Sequence, residues 1–207
     1  AGENGWYVSP VSLTLVSTDA MSGIAGSGYS LSRDSVLFSS GNYTSPISAG
    51  EDGVYNYTYY SVDKAGNSET EKTGSFRIDA SSPSLIAVST PPANAYGWNN
   101  TDVLIGFTCS DALSGVASCP AVITLSSEGV GISTAAKVYD LAGNSAETTA
   151  AGINIDRTSP VISISSPVAG QLFVATRGRI YVGFGVLDNL DPDPEVTATL
   201  TQVEDRG

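Results

Sequence analysis

The 207-residue chain contains one motif pattern twice, and this repetition constrains the fold more than any other feature. Gly5-Trp6 followed by Thr18–Ala25 (TDAMSGIA) returns as Gly97-Trp98 followed by Ser110–Ala117 (SDALSGVA). The offset is 92 positions in both cases, as from Trp6 to Trp98. A fixed period of this length is typical of a tandem array of small domains.

A second motif closes each copy. Asp63–Ser68 (DKAGNS) returns as Asp140–Ser145 (DLAGNS), and Ile78-Asp79 returns as Ile155-Asp156, both at an offset of 77 positions. The shorter offset indicates that copy two lacks about one hairpin between its motifs. Pro160 to Asp188 repeats the spacing of Pro83 to Asp111, so a third copy begins there. The sequence predicts domain 1 over residues 1–80, domain 2 over 81–157 and a partial domain 3 over 158–207.

Copy one lacks a segment that copy two has. The apolar stretch Ser84–Ser89 precedes Gly97-Trp98, whereas only Ala1–Asn4 precede Gly5-Trp6. We therefore expect the first strand of domain 1 to be missing. The chain is expected to be an excerpt of a longer array, or a subunit whose gaps are filled by neighbouring chains.

Strand signals dominate the sequence and no window keeps an apolar period of 3.6 residues. The predicted strands are short, rich in β-branched and aromatic residues, and bounded by turn residues. They are Val11–Val16, Val54–Tyr59, Val103–Thr108, Val161–Ser165 and Ile180–Phe184. Several such strands per copy predict an all-β fold of antiparallel sandwiches.

The combination of motifs resembles bacterial immunoglobulin-like (Ig-like) repeats. The matching residues are Gly-Trp before a strand, T/S-D-A-x-S-G-I/V-A, D-x-A-G-N, and a closing I-D followed by T/S-S-P. This resemblance implies tandem Ig-like sandwiches arranged end to end in an extracellular or cell-surface bacterial protein. It further implies a role as stalk, spacer or adhesive array, with neighbouring Ig-like domains as partners.

Composition excludes several classes of function. A formal net charge of −12 argues against nucleic-acid binding, which needs basic surface. The absence of histidine removes the conventional Ser-His-Asp relay and His-rich zinc sites, so we expect no enzyme activity and no required cofactor. No apolar run is long enough to cross a membrane.

Both cysteines, Cys109 and Cys119, lie in copy two, where copy one has Ser17 and Ser27 at the same spacing. This matched substitution predicts a disulfide within the domain and an oxidising compartment. The alternative is a pair of buried free thiols.

Recurring carboxylates and amides suggest a calcium site in each copy. Ca²⁺ prefers six to eight oxygen ligands, which carboxylates and amides supply. The candidate ligands are Asp19, Asp63 and Asn67 in copy one and Asp111, Asp140 and Asn144 in copy two, with Asp79 and Asp156 at the joints. A local concentration of carboxylates also occurs at Asp188, Asp191 and Asp193.

The alternative is turn architecture. Asp and Asn cap turns by bonding their own backbone, and Gly66 and Gly143 allow the positive φ of a tight hairpin. We expect Gly and Asn of the D-x-A-G-N motif both to adopt positive φ.

Three functions remain open from the sequence. The first is a non-enzymatic stalk or spacer, and the second is a filament subunit completed by strands of neighbouring chains. The third is a carbohydrate-binding accessory module of a secreted enzyme, because Tyr55, Tyr57 and Tyr59 share one strand face and could stack on polysaccharide. Core packing is the competing explanation of that face, and it is favoured because the equivalent face of copy two is the more apolar one.

Overall fold

The computed structural model describes residues 2–166, 168 and 182–191. Over these residues all regular structure is β, and no helix there is long and apolar enough to cross a membrane. The strands are β1 Trp6–Tyr7, β2 Val11–Leu13, β3 Ile24–Arg33, β4 Val36–Asn42, β5 Ile47–Ala49, β6 Gly53–Asp63, β7 Lys72–Ile78, β8 Ser84–Thr90, β9 Val103–Ser110, β10 Val116–Ser118, β11 Ile123–Leu125, β12 Gly129–Asp140, β13 Ser145–Ile155, β14 Val161–Ser166 and β15 Gly183–Leu187.

Copy one is a sandwich of two sheets. The larger sheet has the order β1-β7-β6-β3-β4, and β2 pairs with β5 in the smaller one. The core between them is formed by residues from both sheets, namely Leu31, Ile47, Ala49, Tyr55 and Ile78. Two sheets that bury their inner faces against each other make the Ig-like sandwich that the sequence predicts.

The tyrosine face of β6 belongs to this core. Tyr55 is fully buried, its ring stacks on Phe76 with centroids 4.8 Å apart, and its hydroxyl donates to the carbonyl oxygen of Glu51 at 2.9 Å. Tyr57 packs against the same cluster. Core packing is thus confirmed for Tyr55, which is fully buried, and for Tyr57, which is half-buried against the core cluster.

The strand predicted over Val11–Val16 is too long. The structure ends β2 at Leu13, and Val16 is 86% exposed. In copy two the equivalent strand β9 keeps eight residues because β8 pairs with it from Leu104 to Ser110. In the described part of copy one, β2 has β5 on one side and no strand corresponding to β8 on the other. Without that ladder, Thr14–Val16 has no backbone partner strand to hold it extended.

Copy two repeats the same plan with two three-stranded sheets. Their orders are β11-β9-β8 and β10-β12-β13. The buried apolar side chains of this copy are Val103, Ile105, Val138, Ala142, Ile153 and Ile155. In copy three, β14 pairs antiparallel with β15, which contains Phe184 of the predicted strand Ile180–Phe184. Ile180 and Tyr181 of that strand, and Asp193, lie outside the described residues.

The chain divides into two compact units that do not coincide with the repeats. One unit comprises residues 1–90, 104–123 and 133–150, and the other comprises 91–103, 124–132 and 151–207. The division into domains 1–80, 81–157 and 158–207, and their arrangement end to end, remain predictions.

Candidate metal centre

The T/S-D-A-x-S-G loop is built in the same way in both copies. In copy one, Oδ2 of Asp19 accepts hydrogen bonds from the amides of Met21 at 3.0 Å and Gly23 at 2.8 Å. In copy two, Oδ2 of Asp111 accepts hydrogen bonds from the amides of Leu113 at 3.0 Å and Gly115 at 2.7 Å. The aspartate therefore closes its own loop, which fixes the position of the carboxylate.

The D-x-A-G-N turn also fixes a carboxylate. Asp63 accepts two hydrogen bonds from Asn67, one from the backbone amide and one from Nδ2, both at 2.7 Å. Asp140 accepts the same two from Asn144, both at 2.8 Å. Four carboxylates of the predicted calcium sets are thus held by neutral donors of their own loops.

The glycine of this turn has the predicted backbone conformation, and the asparagine does not. Gly66 has φ of 92° and Gly143 has φ of 98°, which favours glycine. Asn67 and Asn144 are not among the described residues with positive φ. The expectation for asparagine is wrong because this residue is selected for its side chain, whose amide donates to the aspartate that opens the turn.

Asp79, the closing aspartate of copy one, lies against the two motif loops of copy two. Its Oδ2 accepts a hydrogen bond from the amide of Ser114 at 3.0 Å, and its carbonyl oxygen accepts one from Nδ2 of Asn144 at 2.8 Å. Asp79, Asp111 and Asp140 each offer a carboxylate oxygen within 4.8 Å of the others. Asp79 and Asp140 are buried, and Asp111 is half-buried.

The electrostatics of this group call for a counter-charge. Two unit charges about 4 Å apart interact by about 4 kcal/mol at an effective dielectric constant near 20, and buried carboxylates also lose hydration. In the described part of the chain, none of the three forms an ion pair with Lys or Arg. A divalent cation with a preference for oxygen ligands would compensate all three charges at once.

The corresponding set in copy one is less complete. Asp19 and Asp63 line one cavity with Asn67, Glu69 and Lys72, but among the described residues they do not form a group of three acidic ligands within 4.8 Å of one another. The pKa of Asp19 is lowered, mainly by the amides of Gly23 and Met21, and that of Asp63 is lowered mainly by the side chain and amide of Asn67. Both therefore remain anionic at neutral pH.

The Gly-Trp segment strengthens the contact between the first two copies. Trp6 is buried beneath Arg77, whose guanidinium carbon lies 4.5 Å from the indole ring centroid. Asn4 donates from Nδ2 to the carbonyl oxygen of Leu141 at 2.8 Å, and the amide of Glu3 donates to that of Ala142 at 2.9 Å. The D-x-A-G-N turn of copy two is thus held by both ends of copy one.

Sequence reasoning missed a carboxylate that holds each joint segment. Asp52 accepts hydrogen bonds from the amide of Ala80 at 2.8 Å and the hydroxyl of Ser81 at 2.6 Å. In copy two, Glu128, which lies 76 positions after Asp52, accepts them from the amide of Arg157 at 2.7 Å and the hydroxyl of Thr158 at 3.1 Å. The sequence feature that could have predicted this carboxylate is the acidic residue that precedes a Gly-Val pair in both copies.

The predicted disulfide is present. Cys109 and Cys119 are bonded, with their Cα atoms 5.8 Å apart. In copy one, the Oγ atoms of Ser17 and Ser27 lie 3.1 Å apart, at hydrogen-bond distance. The two copies therefore bridge the same two positions, covalently in one and by a hydrogen bond in the other.

Comparison with known proteins gives little additional information. No family model matches the chain, and no curated protein matches it. Among solved structures, it is similar to fibronectin(III)-like modules of CbhA from Clostridium thermocellum, with 17% identity and a TM-score of 0.31 over 75% of this chain and 88% of that one. The Ig-like β-sandwich class of this protein is defined by its own sheets.

Proposed function

We propose that this chain is a non-enzymatic structural segment of a bacterial extracellular or cell-surface protein, in which Ig-like repeats act as a spacer and Ca²⁺ binds where copy one meets copy two. The repeats supply folded units of similar plan, and the calcium ion holds one repeat to the next. Its protein ligands are Asp79, Asp111 and Asp140.

Both copies contribute carboxylates to the proposed site, and this observation carries the proposal. Asp79 comes from the closing motif of copy one, whereas Asp111 and Asp140 come from the two motif loops of copy two. A cation bound by all three crosslinks the copies, and water completes the six to eight oxygens that calcium prefers. The disulfide supports the extracellular setting, because such bonds persist in oxidising compartments.

The test is calcium-dependent melting of the full chain by calorimetry, with calcium and with chelator. A ligand that binds only the folded state stabilises it by about 2.7 kcal/mol when its free concentration is about 100 times Kd. We expect Ca²⁺ to raise Tm of the wild type, and Asp79→Asn to abolish that increase. With chelator, Asp79→Asn should melt close to the wild type, because relief of the repulsion among the three carboxylates offsets the loss of one of the two hydrogen bonds that Asp79 accepts from the amides of Ser81 and Ser114.

Copy one supplies the matched control. Asp63→Asn changes the equivalent of Asp140 at a place where no closing aspartate among the described residues lies against the motif, and it should leave most of the calcium effect intact. A wild-type Tm that does not change when calcium is added would refute the proposed role of the metal. A calcium-induced increase in Tm that persists in Asp79→Asn would refute it as well.

We propose filament formation as a second candidate, which is favoured by the side of β2 that has no partner strand among the described residues. That side of β2 could pair with a strand of another chain, because edge strands with unpaired amides and carbonyls accept additional strands. Sedimentation velocity at increasing concentration should then show association, and Val11→Pro should weaken it. A monomer at all concentrations would exclude this candidate.

A further inference from the structure

A second acidic region lies in the unit that contains residues 91–103, 124–132 and 151–207. It is a cavity of about 750 Å³. Asp156, Asp188 and Asp191 contribute carboxylates to its lining, and Tyr96 and Trp98 contribute aromatic rings. No lysine or arginine of the described residues lines it. The cavity therefore favours a positively charged ligand.

Asn99 gives an independent indication of a ligand. It lines the same cavity, its residue is only 7% exposed, and its Oδ1 atom accepts no hydrogen bond, the only such buried side-chain atom in the described part of the chain. Its Nδ2 donates to the carbonyl oxygen of Asn154 at 3.4 Å, so the amide is held with the oxygen unsatisfied. A buried amide oxygen normally has a partner, which can be a donor, a water molecule or a cation.

Backbone pairing places Asn99 next to the closing aspartate of copy two. The amide of Asp156 donates to the carbonyl oxygen of Asn99 at 2.9 Å, and the amide of Asn99 donates to that of Asn154 at 3.0 Å. Asp156 and Asp188 each use Oδ1 to cap their own loops, through the amide of Thr158 at 3.0 Å and that of Leu190 at 3.0 Å. The second oxygen of each carboxylate has no hydrogen bond among the described residues.

We propose that this cavity binds a second calcium ion through the carboxylates of Asp156 and Asp188 and Oδ1 of Asn99. All three are hard oxygen ligands of the type that calcium selects. Asp156 and Asp188 are the counterparts of Asp79 and Asp111 at the 77-residue offset, and the amide of Asn99 provides the third protein oxygen. This inference rests on the calcium chemistry of the proposed function, but the ligand residues of the two sites differ. Either site can therefore be refuted without the other.

The test uses terbium luminescence of the full chain, with Tb³⁺ as the probe and Ca²⁺ as the competitor. Trp98 lines the cavity, so a bound lanthanide should show emission sensitised by this tryptophan and displaced by calcium. The signal of this cavity is the part of the emission that Trp98→Phe removes, because the site at Asp79 lies beside Tyr7 and can give emission of its own. We expect Asn99→Ala and Asp188→Asn each to weaken binding at this cavity by about tenfold or more. Asp79→Asn should leave this signal unchanged.

Asp188 is not fully buried, so Asp188→Asn keeps the test decisive if Asn99→Ala fails to fold. Absence of saturable sensitised emission from the wild type would overturn the proposal and leave water as the partner of Asn99. Trp98-dependent emission that survives Asp188→Asn would overturn it as well. Loss of the signal in Asp79→Asn would assign the emission to the other site and refute the second one.

Discussion

At the scale of single residues, shaping a loop and the proposed binding of a cation do not conflict for the motif aspartates. The carboxylate of Asp111 or Asp140 accepts amide hydrogen bonds that shape its loop, and an oxygen that accepts a hydrogen bond retains a lone pair for a cation. Turn architecture and metal ligation, which the sequence presents as alternatives, are therefore compatible at one residue. Loop bonding also fixes the carboxylates in advance, which lowers the entropic cost of binding an ion.

The first residue-scale prediction concerns protonation. Hydrogen bonds lower the folded-state pKa of Asp19 and Asp63 below the ordinary value of 3.8, so their contribution to stability is present above that value. It is lost as the pH falls through the lower folded-state pKa. Carboxyl carbon shifts followed by NMR with chelator present should give midpoints below 3.8 for both residues. Midpoints at or above 3.8 would contradict the assigned hydrogen bonds.

The disulfide of copy two can be tested against the serine pair of copy one. Replacing both Cys109 and Cys119 with serine reproduces the pair Ser17 and Ser27 of copy one. Because a cross-link of this length restricts a short loop of the unfolded chain, we expect the free energy of unfolding to fall by about 2 to 3 kcal/mol. Urea denaturation of the double variant measures the loss. A change below about 0.5 kcal/mol would mean that the serine pair is an adequate substitute.

At the scale of elements, the same motif forms the same turn in both copies, whereas the length of a strand depends on the strands beside it. The D-x-A-G-N turn joins β6 to β7 and β12 to β13 with the same hydrogen bonds. By contrast, β2 and β9 derive from equivalent positions but differ in length, because β9 has β8 beside it and β2 has no such strand among the residues that the structure describes. Local sequence determines the turn, and tertiary pairing determines the strand.

A prediction at this scale tests the turn glycines. Gly66→Ala should cost about 1 to 2 kcal/mol of stability, because φ of 92° is strained for an L residue while a Cβ there would meet no atom within 4 Å. Gly26→Ala is the matched control, since a Cβ is equally unobstructed there and φ is not in the strained region. Thermal or urea unfolding of the two variants gives the comparison, and equal stability of both would contradict the backbone explanation.

These differences mark how far the sequence could predict the site. The loops around Asp19 and Asp111 and the glycines of the turns follow from local residue types, and the disulfide follows from the matched spacing. The position of Asp79 does not, because the offset identifies equivalent residues but not which loops of copy two they contact. The unsatisfied oxygen of Asn99 is likewise a property of three-dimensional packing, since copy one has Tyr7 at the equivalent position.

At the scale of the whole molecule, the net charge of −12 opposes folding through self-repulsion. The acidic groups at Asp79 and at Asp156 concentrate part of that charge. Monovalent salt screens the general repulsion, whereas a bound divalent ion cancels charge at one point. The two effects differ in the concentration at which they appear.

This gives a prediction for salt. With chelator present, raising NaCl from about 10 mM to about 150 mM should raise Tm, because the Debye length falls from about 30 Å to about 8 Å. Choline chloride should raise Tm by a similar amount, since the effect requires only ionic strength. A Tm that falls with salt would indicate that attractive surface pairs such as Lys137 with Glu147 outweigh the repulsion.

The closing aspartate of copy one contacts copy two, so the proposed ion site does not lie within one sequence repeat but takes ligands from two. A fragment cut after residue 80 keeps Asp79 but loses Asp111 and Asp140, and a fragment that starts at residue 81 has the reverse defect. Neither piece would measure the calcium affinity of the intact chain. Recombination that adds or deletes a whole repeat, however, preserves one closing aspartate for every pair of motif loops, so an array can change its number of repeats without leaving an unmatched site inside it.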